Sequence, residues 1–296
     1  MPMRLLAPVF LLILQGVLSP AKAIDDYKTG PLAEVNPSVP KGKVIQMPAL
    51  ESKVFGGTTR DWYVYVPSQY KAGKPACLMV FQDGHDYVNL TGNWRVPTVF
   101  DNLIASGDMP VTIGVFINPG NDAAKNPKPQ SPWRSSNRSV EYDTLGDTYS
   151  KFILTEVIPI VQKDYDLTED PNGWAIGGAS SGGICSFTVA WERPDKFHKV
   201  FSTIGSFTNI RGGNAYPYLI RVTEKKPIKI FLQDGKNDVD NQFGSWPLAN
   251  EMMNASLKYM NYEVTFVQGD GQHNSKHGGS IFPEAMKWLW SDYKTK

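Results

Sequence analysis

The chain has 296 residues, with 30 lysines and arginines against 29 aspartates and glutamates, so its formal net charge is +1. Charges of both signs are scattered along the sequence, which argues against a nucleic-acid or acidic-membrane partner. Two cysteines, Cys77 and Cys185, exclude a disulfide scaffold. We expect both to be buried small apolar residues, with a bridge between them as the alternative.

The first 23 residues have the pattern of an export signal. Arg4 gives a basic start, an apolar run follows from Leu5 to Leu18, and Ala21-Lys22-Ala23 has the small-x-small form cut by signal peptidase. The apolar run is shorter than an ordinary membrane span, so we expect no membrane anchor after cleavage, with a retained anchor as the alternative. The sequence therefore predicts an exported protein, periplasmic or extracellular, whose formal charge changes from +1 to −1 when Arg4 and Lys22 are removed.

Residues 24–43 predict an extended lead-in, and residues 44–296 predict a single domain in which strands and helices alternate. Such alternation predicts βαβ units and a mostly parallel sheet with helices on both faces, the α/β class. The first two strands have no helix between them and predict an antiparallel pair. The predicted strands are 44–55, 60–66, 76–81, 111–117, 174–176, 199–204, 228–232 and 262–267. The predicted helices are 96–105, 145–164, 184–192, 247–260 and 283–293.

The stretch from Pro119 to Tyr142 breaks this alternation. It has little apolar periodicity and contains several prolines and asparagines. A loop of that length inside a compact domain is usually functional or disordered. It leaves the C-terminal end of the 111–117 strand, the edge at which open α/β sheets bind ligands.

The sequence Gly178-Ala179-Ser180-Ser181-Gly182 lies between a predicted strand and a predicted helix. G-x-S-x-G at such a corner is typical of the nucleophile elbow of α/β-hydrolases. The serine is held in a strained backbone conformation, and side chains at the flanking positions would collide with neighbouring segments, so glycine is required there. The pattern predicts Ser180 as a nucleophile. Ser181 fits less well because Ala179 holds its upstream glycine position, and a Gly/Ser-rich turn without chemistry is the alternative.

A nucleophilic serine needs a base, normally histidine, which an acid orients, and in this fold they follow the order Ser, acid, His. Of the four histidines, His273 and His277 lie beyond the elbow on a glycine-rich loop after a predicted strand. His273 comes first after the strand and is the favoured base, with His277 as the alternative. Their spacing also suits a metal, but no glutamate lies between them and they are not on a predicted helix, so we expect no metal site.

Three aspartates follow the predicted strand 228–232 and are candidates for the acid: Asp234, Asp238 and Asp240. Asp238 is favoured because the turn that begins at Gly235 brings its carboxylate back over the strand end, and Asp240 is the next candidate. The alternatives are aspartates that only form turns or a calcium loop. The run lacks the central glycine and the distal glutamate that a calcium loop requires.

Acyl transfer also needs two backbone N–H groups directed at the developing oxyanion. One is expected from Ser181, at the start of the helix after the elbow. The other is expected from the loop after the third predicted strand. There Gly84 lets the chain turn and leaves the N–H of His85 best placed.

Several motifs occur together in this chain. They are Asp83-Gly84 after an apolar strand, Gly178-x-Ser180-x-Gly182-Gly183, Gly235-x-x-Asp238, Gly271-x-His273 and the strand pattern Arg60-Asp61-Trp62-Tyr63-Val64-Tyr65-Val66-Pro67. From about Val54 to Trp290, the chain resembles the esterase family that includes enterochelin esterases, feruloyl and acetyl-xylan esterases, and mycolyl transferases.

The resemblance implies an α/β-hydrolase fold without a large cap domain, and hydrolysis without a metal or an organic cofactor. It implies a triad of Ser180, Asp238 and His273, with the N–H groups of His85 and Ser181 as oxyanion donors. Ser181 departs from the methionine or leucine that is frequent after the nucleophile, which a role of its backbone alone should tolerate.

Aromatic and charged residues on the predicted active edge are candidates for substrate contact. Three tryptophans could stack on a sugar or aryl ring, with packing on the core as the alternative: Trp94, Trp133 and Trp246. Arg138 and Glu141 could hold a substrate group, and an ion pair between them is the favoured alternative. His277 is a further candidate for the pocket wall.

We therefore expect a secreted serine esterase that removes a feruloyl or acetyl group from an oligosaccharide or small-molecule ester. One alternative is an esterase of a siderophore trilactone. That anionic substrate would need a basic pocket, and in the predicted loop only Arg134 and Arg138 stand out. A non-catalytic binding protein on the same fold is the other alternative. It predicts a missing triad position, and none is missing here.

Overall fold

The computed structural model describes residues 25–293, so the predicted export signal lies outside the described residues. The described chain forms one eight-stranded sheet and two short two-stranded ladders, β2 with β3 and β10 with β11. The strands are β1 Lys43–Gln46, β2 Leu50–Glu51, β3 Thr59–Arg60, β4 Trp62–Val66, β5 Cys77–Gln82, β6 Thr112–Ile117, β7 Trp174–Ala179, β8 Lys199–Thr203, β9 Lys229–Gly235, β10 Asp240–Asn241, β11 Gly244–Ser245 and β12 Glu263–Gly269.

The large sheet has the strand order β1-β4-β6-β5-β7-β8-β9-β12. The β1–β4 and β4–β6 pairs are antiparallel, and all the others are parallel. The predicted antiparallel opening and mostly parallel sheet are therefore confirmed. Every residue of β5 and β6 is buried, as expected for parallel strands that are covered on both faces.

Helices cover both faces of the sheet and divide the apolar core into two layers. One layer contains side chains of the helices at 181–192, 216–222 and 246–259, and the other contains side chains of the helices at 96–106 and 275–290. The helices are α1 Gly84–Tyr87, α2 Val96–Ser106, α3 Arg138–Asp143, α4 Thr148–Phe152, α5 Ile158–Val161, α6 Ser181–Glu192, α7 Tyr216–Val222, α8 Trp246–Tyr259 and α9 Ser275–Trp290. A π-helical turn, Ile153–Val157, joins α4 to α5 within the predicted helix 145–164.

Some boundaries differ from the sequence prediction. The predicted strand 44–55 is two strands, β1 and β2, with Pro48 between them. Helix α3 forms inside the predicted loop, and α7 was not predicted. Helix α9 begins at Ser275, eight residues before the predicted start, because the side chain of Asn274 caps it by accepting the N–H of Lys276.

The start of α9 was not predicted because two glycines, Gly278 and Gly279, lie in its first turns. A Cβ atom added at Gly278 would lie 2.6 Å from the indole of Trp94, and one added at Gly279 would collide with the carbonyl of Asn93. Both glycines therefore allow close packing of the helix, although glycine is unfavourable for helix formation in general.

The two cysteines, Cys77 and Cys185, are both buried and unbridged, which confirms that they are small core residues. Within residues 25–293, no helix combines the length and apolar character needed to cross a bilayer.

Candidate active site

Ser180 lies between the end of β7 and the start of α6, with φ +59° and ψ −124°. A Cβ atom added at Gly178 would lie 2.5 Å from the backbone of Gly182, so glycine is required at position 178. At Gly182 an added Cβ would lie 3.2 Å from the Cβ of Gln82, a milder conflict than the sequence pattern suggested. The strained backbone turns Ser180 out at the carboxyl end of the sheet.

The structure brings Ser180, His273 and Asp238 into one hydrogen-bonded row. His273 Nε2 lies 2.8 Å from Ser180 Oγ, and His273 Nδ1 lies 2.6 Å from Asp238 Oδ1. The side chain of Asp238 is fully buried, whereas that of His273 is 27% exposed. A proton on Nδ1 would be held by the carboxylate, which leaves Nε2 free to accept the serine proton.

The acid and the histidine are held on loops that touch each other. Lys236 N donates to Gly269 O at 2.8 Å, and Asn237 N donates to Gly271 O at 3.2 Å. A Cβ atom added at Gly235 would collide with the carbonyl of Gly271. Gly235 therefore allows the backbones after β9 and β12 to meet.

A second carboxyl group, that of Asp234, lies behind Asp238. Asp234 is fully buried, and its oxygens accept the N–H of Gly235 and the Nδ2 of Asn250, each at 2.8 Å. Burial, together with the hydrogen bond and charge of Asp238, raises the pKa of Asp234 to about 9. At neutral pH Asp234 therefore keeps a proton with which it can hydrogen-bond Asp238. Asp240, the other candidate acid, is exposed in the short β10–β11 hairpin.

Ser206 is a neighbour of the nucleophile that the sequence did not indicate. Its Oγ lies 3.3 Å from Ser180 Oγ, and its N–H donates to the Ser180 carbonyl at 3.1 Å. Trp246 Nε1 donates to the Ser206 hydroxyl at 3.2 Å, and the Trp246 ring meets the His273 ring edge-on at 5.8 Å. Trp246 is buried, so it packs behind the site, as the alternative interpretation of its position predicted.

The two expected oxyanion donors differ in their surroundings. The N–H of Ser181 is the first of α6 and has no acceptor within the helix. The N–H of His85 instead donates to Asn118 Oδ1 at 2.9 Å, and the His85 Nδ1 is also 2.9 Å from that oxygen. Because Gln82 pairs with Ile117 in the β5–β6 ladder, the residues that follow these strands lie side by side. The N–H of His85 is therefore engaged by Asn118 in this conformation, and its role as an oxyanion donor stays a prediction.

Arg138 binds Asp83 rather than Glu141, so the predicted Arg138–Glu141 ion pair is wrong. Arg138 Nε and Nη2 donate to the two oxygens of Asp83 at 2.9 and 2.7 Å. Glu141 instead accepts from Arg60 Nη1 at 2.5 Å, and neither side chain of that pair is exposed. Arg138 and Glu141 therefore tie α3 to two different segments, and the guanidinium of Arg138 already has a carboxylate partner.

Trp94 and His277 are not on the surface of the site, which corrects the prediction that they contact substrate. Trp94 is 0% exposed, stacks on Tyr87 at 4.7 Å and donates its Nε1–H to Asp86 at 2.8 Å. His277 is buried, and its ring stacks on Tyr27 at 4.1 Å. Burial lowers the pKa of His277.

Trp133, in contrast, is 48% exposed, and its ring meets the His85 ring at 4.5 Å. It is the one predicted tryptophan of the three whose ring is open to a ligand.

His273 and His277 engage different partners, and in the part of the chain from 25 to 293 no group of three or more His, Cys, Asp or Glu side chains could hold a metal ion.

A polar cavity of about 450 Å³ lies at the same edge of the sheet, next to His85 through Asn118. Its charged groups are Arg60, which Glu141 neutralises, and Asp61, which forms no ion pair within residues 25–293. The cavity is lined by Ala49, Thr59, Arg60, Asp61, Asn118, Pro119, Asn121, Pro129, Gln130, Ser131, Pro132 and Ser135.

Comparison with known proteins agrees with this architecture. The sequence matches the family described as "Putative esterase" over residues 52–276. It is 29% identical over 246 residues to the uncharacterized protein YbbA of Bacillus subtilis (strain 168), which covers 78% of this chain and 92% of that protein.

Two solved structures share the fold. An enterobactin esterase from Shigella flexneri superposes with a TM-score of 0.65 and 19% identity, over 87% of this chain and 61% of its own length. The chain thus spans less than two thirds of that enzyme. A ferulic acid esterase from the anaerobic fungus Anaeromyces mucronatus superposes with a TM-score of 0.66 and 19% identity, over 90% of this chain and 97% of its own. The family match, which spans more than half of the chain, shows that the chain belongs to the esterase family, and the two solved structures share its α/β-hydrolase fold.

Proposed function

We propose that the protein is a serine esterase that works through an acyl-enzyme intermediate. The observation that carries the proposal is the row of hydrogen bonds from Ser180 through His273 to Asp238, at the carboxyl edge of an esterase-family sheet. In this mechanism His273 Nε2 accepts the hydroxyl proton as Ser180 Oγ attacks the ester carbonyl carbon. The same nitrogen then donates that proton to the departing alcohol. A water molecule repeats the sequence and releases the acid.

The N–H of Ser181 is the first donor to the oxyanion that develops in both steps. The N–H of His85 becomes a second donor when the Asn118 side chain turns away from it. Asp238 keeps the proton of His273 on Nδ1, and protonated Asp234 supports the free side of the Asp238 carboxylate.

The test is hydrolysis of p-nitrophenyl acetate and methyl ferulate by the wild type and by Ser180→Ala. Loss of the nucleophile is expected to lower kcat by at least about 10³-fold. Ser68→Ala, which changes an exposed serine outside the site, is the matched control and should keep full activity. A fluorophosphonate probe should label Ser180 in the wild type. Equal turnover by wild type and Ser180→Ala would contradict the mechanism.

We further propose that the ester is carbohydrate-linked, with a feruloyl or acetyl group as the acyl part. Six of the residues that line the cavity beside His85 have neutral hydrogen-bonding side chains, and the size of the cavity falls in the range of about 300–1,000 Å³ typical of small-molecule sites. The exposed indole of Trp133, between His85 and the cavity-lining Pro132, offers a flat face for a sugar or aryl ring.

A siderophore trilactone is the competing substrate, because the enterobactin esterase shares this fold. It is disfavoured by charge, since Arg60 and Arg138 are each neutralised by a carboxylate and Asp61 adds a negative charge to the cavity wall. Lys128 and Arg134 are exposed on the same loop and would be the cations nearest to such a substrate.

The two substrates can be separated by comparing kcat/KM for feruloylated xylo-oligosaccharides with that for ferric enterobactin. Gln130→Ala removes an exposed amide from the cavity, and we expect it to lower kcat/KM for the oligosaccharide about three- to tenfold through a single lost hydrogen bond. Gln162→Ala is the matched control. Gln162 lines another polar cavity, of about 520 Å³, and Pro75 in the same lining comes just before the start of β5, so this cavity lies at the amino end of that strand and not at the active edge. Faster turnover of ferric enterobactin would favour the siderophore substrate.

We also propose that the protein is exported, on the basis of the sequence of residues 1–23. Mass spectrometry of the mature protein should find Ile24 at its N-terminus, and a mature chain that retains Met1 would contradict this.

A further inference from the structure

The described chain begins with a segment that lies against residues 269–274, the loop that carries His273 and is called here the histidine loop. The Asp25 carboxylate accepts the N–H of Gln272 at 3.1 Å and also accepts the side-chain amide of Asn274. Gln272 and Asn274 are the two neighbours of His273 in the sequence. One carboxylate, about 250 residues away along the chain, thus holds both sides of the proposed base.

Tyr27 makes a second contact with the same loop. Its hydroxyl accepts the N–H of Asp270 at 2.9 Å, and its ring stacks on His277 at 4.1 Å with an interplanar angle of 15°. A Cβ atom added at Gly269 would collide with the Tyr27 hydroxyl, and one added at Gly271 would lie 3.1 Å from Asp25 Oδ1. The glycines of the loop therefore leave the space that this segment occupies.

The loop is held from two directions. The acid loop, residues 235–238 with the proposed acid Asp238, binds it through the backbone contacts of Lys236 and Asn237. Asn237 Nδ2 also donates to Asp270 O at 2.8 Å. Asp25 and Tyr27 hold it through groups that the acid loop does not reach. Catalytic geometry is sensitive to small displacements, and an error of about 1 Å can cost as much as 100-fold in rate.

We propose that Asp25 and Tyr27 form an N-terminal strap that positions His273 for proton transfer. Both are positioning residues, because their contacts are with Asp270, Gln272, Asn274 and His277 and not with Ser180 or His273. The inference rests on the proposed function, because it assigns the strap to the histidine of that mechanism.

The test measures kcat and KM for p-nitrophenyl acetate in the full chain carrying Asp25→Ala, Asp25→Asn or Tyr27→Phe. Rates are divided by the concentration of active sites, titrated with a fluorophosphonate. Asp25→Ala should lower kcat about tenfold or more with KM within about twofold. Asp25→Asn keeps one acceptor oxygen and should give an intermediate kcat. Tyr27→Phe keeps the stack on His277 and should have a smaller effect.

Asp26→Ala is the matched control, because Asp26 lies between the two strap residues, is exposed and pairs within residues 25–293 with the exposed Lys28 alone. If the strap acted only on stability, Asp25→Ala would lower the melting temperature and the number of titratable sites but keep the wild-type kcat per active site. That result would overturn the strap while Ser180-dependent activity remained. Equal activity of Ser180→Ala and wild type would overturn the proposed function instead.

Discussion

The two sides of the carboxyl edge are built from different kinds of contact. On the catalytic side, around Ser180 and His273, backbone segments meet directly and glycines make the space, as at Gly178 and Gly235. On the opposite side, residues 118–143 are held by side chains, above all by the Arg60–Glu141 and Arg138–Asp83 pairs.

This difference determines which contacts leave a recognisable pattern in the sequence. A backbone contact that needs glycine leaves a short motif in the sequence, whereas an ion pair between distant segments leaves two ordinary charged residues. The contacts of the catalytic side can therefore be predicted from sequence motifs, whereas those of the opposite side can be identified only in the folded structure.

Asp238→Asn should have the largest effect on the catalytic side. The amide can no longer fix the proton on His273 Nδ1, so kcat is expected to fall by about 10³- to 10⁴-fold. Steady-state kinetics with p-nitrophenyl acetate checks this, with Asp240→Asn as the exposed control. A loss below tenfold would show that another group orients the histidine.

Glu141→Ala should have the largest effect on the opposite side. It leaves the Arg60 guanidinium buried without its partner, and removing one member of a buried pair costs about 3–5 kcal/mol of stability. Chemical denaturation would measure the loss. The double change Arg60→Met with Glu141→Leu removes both charges and should recover much of the stability. If Glu141→Ala alone cost less than about 1 kcal/mol, side-chain pairing would not be what holds this side together.

The pH dependence of stability tests the carboxyl pair behind the histidine. Folded Asp234 keeps its proton up to about pH 9, whereas in the unfolded chain it loses it near pH 4. Folding therefore binds a proton between these values, and this group's contribution to stability is lost as the pH rises through that window. Asp234→Asn cannot ionise, so its stability relative to wild type should increase from pH 5 to pH 9. A constant difference across that range would mean that Asp234 is ionised in the folded state.

Trp133→Ala should have the smallest effect. The indole is exposed and lies at the edge of the fold, so stability should change by less than about 0.5 kcal/mol. KM for a feruloylated oligosaccharide should rise severalfold, whereas KM for p-nitrophenyl acetate should not change. An equal rise for both esters would indicate that the indole supports His85 rather than the sugar.

The sequence predicted much of the catalytic side for a physical reason. The elbow at Gly178 and the turn at Gly235 each need glycine near a reactive residue, and Gly271 lies two residues before His273, so Ser180 and His273 could be named from spacing. Buried parallel strands likewise gave apolar runs, which predicted most of the sheet.

The remaining features depend on contacts across the fold. Arg138 and Glu141 lie three residues apart, and this spacing predicted an ion pair between them. In the structure Arg138 binds Asp83 and Glu141 binds Arg60, each next to or at the end of another strand. The engagement of the His85 N–H by Asn118 depends on strand order, and the contact of Asp25 with the histidine loop spans nearly the whole chain. No local pattern could indicate these contacts.

The meeting of Gly235 with Gly271 has a consequence for engineering. Because a single methyl group at Gly235 would force the two backbones apart, the loop after β9 can accept the loop of a relative only if the contact with Gly271 is kept. Grafting experiments should transplant residues 234–240 and 269–274 as one cassette, together with the residues at positions 25–27 that close over it.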